Sequence, residues 1–216
     1  MIMRPQSRFL GAIVISLAVS TPAVAQTAQP ARSRTVETAA ALPAARMKLS
    51  GLPYLAAVSS QLYRGAQPDD NGFAELKKLG VGIVVNLRHE PNEIARERSL
   101  VESRGMQYVS IPWRGKQDPK PEQVARFLSL LWENPDKKVF VHCERGAERT
   151  GVMVASYRIS RDHWTSAQAL DEMEAFRFRG MRFQHLKKFV REFPALLLTD
   201  PFLKRIGQVT SSSGQN

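Results

Sequence analysis

KVFVHCERGAERTGVMVASYRIS, residues 138–160, decides how this chain is read. Lys138 to His142 is a short apolar run that reads as a strand. Thr150 to Ile159 reads as an apolar helix, so Cys143 to Arg149 is the turn between them. A loop placed there can point its backbone N–H groups at an anion, helped by the positive end of the helix. The same donors, with cationic neighbours, lower a cysteine from its usual pKa near 8.5 and make its sulfur nucleophilic at neutral pH. Arg149 can hold two oxygens of a bound phosphate in its fork, which the point charge of lysine cannot do. Gly146 supplies backbone freedom within the loop, and the Thr150 hydroxyl can donate to the sulfur as a leaving group. Cys143 is the single cysteine of the 216 residues, which excludes an internal disulfide and any multi-cysteine metal cage.

Working outward from this segment, short β-rich runs alternate with helical patterns. Gln61 to Arg64 and Val81 to Leu87 read as strands, with a helix between them carrying Phe73, Leu76 and Leu79 and ended by Gly80. Pro91 to Arg104 reads as a helix, Gln107 to Pro112 as a strand, and Pro121 to Trp132 as an amphipathic helix stopped at Asn134-Pro135. Two more helices are expected at Thr165 to Phe176 and Gln184 to Leu198. This alternation predicts an α/β fold: one domain with a mainly parallel central sheet flanked by helices and a ligand site at the carboxyl ends of the strands. Cys143 falls at such an end.

The termini read differently. Arg4 and Arg8 precede an apolar run, Phe9 to Val19, of 11 residues, against the roughly 20 needed to span a bilayer. Ala23-Val24-Ala25 then matches a signal-peptidase site. The chain is therefore expected to be exported, to a periplasmic or similar compartment, with a signal peptide over 1–25; retention as an anchor is the alternative. Residues 26–51 read as a disordered tether, 52–206 as the folded domain and 207–216 as a disordered tail. The formal net charge of +11 suits a protein that meets anions and chooses among none of them.

HCERGAERTG resembles the Cys-x5-Arg signature loop of the cysteine-dependent protein tyrosine phosphatase superfamily. The stretches LYRGAQPDDNGFAELKKLGVGIVVNLR (62–88) and RTGVMVASYRISRDHWTSAQALDEM (149–173) are similar to the bacterial, dual-specificity branch. The resemblance covers Leu62 to Leu198 and implies metal-independent hydrolysis of phosphomonoesters through a cysteinyl-phosphate, with no cofactor. It implies Cys143 as nucleophile, Arg149 as phosphate clamp, and Glu144, Arg145, Gly146, Ala147 and Glu148 as an amide cradle. His142 and Thr150 are expected in supporting roles, His142 by positioning. The family also uses a general acid from a loop before the cysteine strand, where Asp118 is the single aspartate; a turn-forming role is the alternative, and Glu93 a weaker substitute. Glu144 and Glu148 depart from the pattern by placing two acids in the loop, which argues against a strongly polyanionic substrate.

Arg64 and Arg88, at strand ends, are candidates for the same cleft or for surface or helix-facing charges, and Trp113 is a candidate for its wall or for core. Arg182, Lys187, Lys188 and Arg191 form a basic helical face, read as solvated, with membrane-surface contact as the alternative. Phosphorylated protein and small phosphomonoesters are the expected partners. Lipid or inositol phosphates, or a phosphate-binding module without turnover, are the alternatives. No basic stripe interleaved with aromatics supports nucleic acid as a partner.

Overall fold

The computed structural model describes residues 41–212. The expected signal peptide, the first part of the tether (26–40) and the last four residues lie outside them. Six strands form one sheet: β1 (Ala45–Arg46), β2 (Ala56–Ala57), β3 (Leu62–Gly65), β4 (Val81–Asn86), β5 (Gln107–Ser110) and β6 (Lys138–His142), in the order β1-β2-β3-β6-β4-β5. Strands β3, β6, β4 and β5 run parallel, while β1 and β2 add an antiparallel edge. The sheet is thus mixed, with the expected parallel part at its centre. Register between β4 and β6 shifts at Gly82, where the missing side chain lets the ladder slip.

Strand alternation divides the core into two halves. Tyr63, Val84, Tyr108 and Phe140 face the layer of α1 (Asp70–Lys78) and α2 (Pro91–Glu102). Leu62, Ile83, Val85, Val109, Val139 and Val141 face the opposite layer: α3 (Pro121–Glu133), α4 (Glu148–Arg161), α5 (Ser166–Ala175), α6 (Gln184–Thr199) and α7 (Pro201–Ser212). Helix α1 is started by Asp69, whose side chain accepts from the Gly72 amide. Helix α5 is started by Thr165 in a capping box with Gln168. Every residue of α4 from Glu148 to Ser160 is buried, because the sheet, α5, α6, α3 and α7 surround it.

Two boundaries differ from expectation. Order begins before residue 52: β1 lies within the expected tether, and Ala44 packs on the core and donates its amide to Glu172 at 2.8 Å. The folded part also extends past 206, because α7 continues to Ser212 with Leu203 and Ile206 buried in the core. Asp200 starts that helix by accepting from the Phe202 and Leu203 amides, and Pro201 sits where its missing N–H is harmless.

Candidate active site

The residues on the cleft at the carboxyl ends of β4 and β6 come from four loops. The cleft has a volume of about 190 Å³ and is walled by Cys143, Glu144, Arg145, Glu148 and Arg149 of the turn into α4. His89 and Glu90 contribute from after β4, Gly115 and Lys116 from after β5, and Arg179 and Phe183 from before α6. A larger hollow of about 650 Å³ between α1 and α2 carries Asp69, Asp70, Glu93 and Glu97 on its wall, a charge balance that repels phosphate.

The cysteine loop is built as a cradle. Its carbonyls are anchored outward: Glu144 O accepts from the Gln67 amide at 3.2 Å, and Gly146 O from Arg64 Nη2 at 3.0 Å. Peptide planarity then turns the N–H groups of Arg145 and Ala147 to the other side, that of the cleft. Gly146 adopts φ +67°, a left-handed conformation that bulkier residues resist. Ala147, the residue that starts α4, offers no side-chain cap, which leaves the first helical amides open to an anion.

Cys143 lies at the floor of the cleft, 2% exposed. Arg149 lines the same cleft, with Nη1 donating to Leu87 O at 3.2 Å and Trp113 O at 3.4 Å. The Thr150 hydroxyl is buried without a hydrogen-bond partner, a polar group held in reserve. His142 points to the other face of the sheet. It stacks on Phe140, and its Nε2 donates to Glu97 Oε1 at 2.8 Å, while Glu97 Oε2 accepts from Gln67. The same Gln67 fixes the Glu144 carbonyl, so the buried network reaches the cradle.

The two loop acids both stand on the cleft wall. Glu148 is buried and accepts from Arg179 Nε at 2.7 Å, and Glu144 lies 3.9 Å from Arg149 Nη2. Each acid is thereby paired with a cation of the same wall.

Other expected residues are placed elsewhere. Arg64 is wholly buried behind the cradle and does not line the cleft. Arg88 bonds Gln67 and Glu90 and lies 3.6 Å from Glu93, so both Arg88 and Glu93 serve that loop's structure. Trp113 is core, with its indole donating to Gln117 O. Asp118 is exposed and stands outside the cleft wall, although Gly115 and Lys116 of the same loop line it. In the basic segment, Lys187 pairs with Glu174 and Lys188 with Glu192, as on a solvated face. His89, Glu90, Lys116, Arg179 and Phe183 escaped the sequence reading. Only the position of the first three after strand ends signalled them.

A family model described as a DSP-PTPase phosphatase fused to NAD+ kinase matches residues 55–192. The phosphatidylglycerophosphate phosphatase PTPMT2 of Arabidopsis thaliana is 29% identical over 160 residues, 71% of this chain and 70% of that one. The dual specificity protein phosphatase TpbA of Pseudomonas aeruginosa is 30% identical over 117 residues, 54% of this chain and 51% of that one, so the match spans about half of that relative. The inositol diphosphatase DSP5 of Arabidopsis thaliana is 26% identical over 151 residues, 68% and 72% of the two chains. The crystal structure of TpbA superimposes with a TM-score of 0.62 at 24% identity, over 81% of this chain and 98% of that one. TpbA has also been crystallised in complex with pTyr, and that structure superimposes with a TM-score of 0.61 at 22% identity over the same shares.

Proposed function

This chain belongs to the DSP-PTPase phosphatase family described by the matching model, and from that premise we propose that it hydrolyses phosphomonoesters, phosphotyrosine among them, through a phosphorylated Cys143. The observation that carries the reading is the cradle itself: a cysteine on the floor of a cleft, ringed by amides turned inward and faced by a tethered Arg149.

In the first step the Cys143 thiolate attacks phosphorus and the bond to the ester oxygen breaks. The oxygen leaves with a proton from Asp118. The cradle amides and the Arg149 fork hold the three non-bridging oxygens, whose charge peaks in the transition state. In the second step the Asp118 carboxylate takes a proton from water, which attacks phosphorus; the S–P bond breaks, the thiolate returns and phosphate departs. Thr150 donates to the returning sulfur. Asp118 reaches the ester oxygen by movement of the loop that already places Gly115 and Lys116 on the cleft wall.

The test is release of p-nitrophenol from p-nitrophenyl phosphate. The wild type turns over, whereas Cys143→Ser, with the cradle intact, loses at least about 10³-fold, since the hydroxyl is a far weaker nucleophile at neutral pH. Equal turnover by both proteins refutes the reading.

A second substrate class is favoured by one observation. A hollow of about 450 Å³ adjoins the cleft and shares Glu144 and Arg145 with it, and Arg177 lines its far side over the Tyr54 ring. Arg145 and Arg177 have no ion pair among the described residues, so a substrate with a further anionic group, such as an inositol or lipid phosphate, has cations to meet. PTPMT2 and DSP5 carry such substrates in their names. Export rests on the sequence of residues 1–25; mass spectrometry of the mature protein, with a new amino terminus after Ala25, tests it.

A further inference from the structure

Arg64 is the most deeply buried cation of the described residues, with no exposed surface at all. It sits on β3, in register with Val141 of β6, so its side chain rises behind the cysteine loop. Its one hydrogen bond runs from Nη2 to Gly146 O at 3.0 Å, while Nε and Nη1 have no partner. The guanidinium lies over the Phe176 ring at 4.1 Å, and Nη2 comes within 3.9 Å of where a Cβ on Gly151 would stand.

Such a placement is expensive, because an ion moved out of water requires a compensating charge. The other fully buried arginine, Arg158, has that compensation in bonds to Glu172 at 2.8 Å and Asp162 at 2.7 Å. Arg64 has no ion pair among the described residues. Glu172, the carboxylate acting most strongly on it, is already taken by Arg158. The next negative group acting on Arg64 is Cys143. Burial draws the Arg64 pKa down to about 10, with Glu172 and then Cys143 opposing that fall.

We infer that Arg64 is a positioning residue of the catalytic cradle, whose buried positive charge, standing behind the loop, holds Cys143 as a thiolate and whose bond to the Gly146 carbonyl holds the loop amides towards the cleft. The inference rests on Cys143 as the nucleophile.

Other charges near the sulfur stay in place when Arg64 changes: Arg149 and the Glu148–Arg179 pair of the α4 side, Glu144 of the loop, Lys116, His89 and Glu90 on the cleft wall, and His142 with Glu97 behind β6. Around Arg64 itself stand Glu172, Arg158 and Arg46.

The experiment measures the rate of iodoacetamide alkylation of Cys143, the single thiol, against pH, beside p-nitrophenyl phosphate kinetics. Arg64→Gln keeps a donor for Gly146 O and removes the charge; Arg64→Met removes both with an apolar side chain, a change that buried ionic sites tolerate. Removing a nearby opposite charge is worth about one pH unit or more. The Gln variant is therefore expected to alkylate with a midpoint raised by at least about one unit, and its kcat at pH 6 to fall about tenfold and recover towards alkaline pH. A wild-type midpoint in the Gln variant overturns the inference. If the Gln variant does not fold, the Met variant is read in its place: a midpoint raised by about one unit or more supports the inference and a wild-type midpoint overturns it. Turnover by wild type and its loss in Cys143→Ser report separately on the nucleophile, so the two readings fail independently.

Discussion

Replacing Gly146 with alanine tests whether the cradle's shape comes from backbone conformation and close packing together. Gly146 has φ +67°, and a Cβ added there would stand 2.4 Å from Gly65 O, 2.5 Å from Gly65 C and 2.6 Å from Ala66 N. These are backbone atoms at the end of β3, so the loop and the strand would have to separate by roughly 1 Å to restore ordinary contact, a displacement able to cost about 10²-fold in rate near a reacting centre. Gly80 supplies the control. Its φ is +85°, but a Cβ there meets nothing nearer than the Lys138 side chain at 3.8 Å. Gly80→Ala therefore carries the left-handed penalty alone, about 1–2 kcal/mol. Gly146→Ala adds overpacking of about 1–3 kcal/mol, for a total of about 2–5. Urea unfolding followed by tryptophan fluorescence measures both, and p-nitrophenyl phosphate turnover is read on the folded fractions. Gly80→Ala should keep kcat/KM within about twofold, while Gly146→Ala loses about 10²-fold, the rate cost of that displacement. If the two variants lose equal stability and both keep their activity, the steric account of the loop is wrong.

Asp118→Asn should slow alkyl phosphates by about 10²-fold or more, the scale of general acid catalysis, and p-nitrophenyl phosphate far less, because nitrophenolate leaves without help; equal losses on both would remove Asp118 from the reaction. Glu97→Ala leaves His142 Nε2 and Gln67 Nε2 without their buried acceptor and should lower stability in urea by about 2–6 kcal/mol, about 1–3 for each donor; a loss under 1 kcal/mol would show that the network does not brace the loop. Leu203→Ala should cost about 2–5 kcal/mol in the same assay, since Leu203 is wholly buried; a loss below 0.5 kcal/mol is what a loose tail would give.

The centre of the molecule was legible because its residues obey simple periods. KVFVH gives β6 with the bounds read from the sequence, and the apolar stretch after it gives the buried α4. Cys143, Arg149 and Gly146 were readable because a strand, a tight loop and a helix leave few positions for them. The edges were less legible. β1 and β2 have two residues each, too short for any period, and are held by pairing and by contacts such as Ala44 to Glu172. Helix α7 was missed because Gly207 opens a Gly- and Ser-bearing stretch that reads as a disordered tail, although Asp200-Pro201 carried a start signal. Arg64 illustrates a deeper limit: an arginine at a strand end looks like a surface charge, and only the phenylalanine, glycine and carbonyl brought round it from distant segments show otherwise.

Helix α4 carries Arg149 and Thr150 in its first turn and has no face to the solvent along most of its length. Drift within a lineage is thereby channelled. Changes in the helix disturb the middle of the molecule, whereas the segments bearing His89, Lys116 and Arg177 hang from strand and helix ends, where a new side chain displaces less. New substrate preferences should therefore arise by rewriting those hanging segments around an inherited engine, and a library built to retarget the enzyme belongs there.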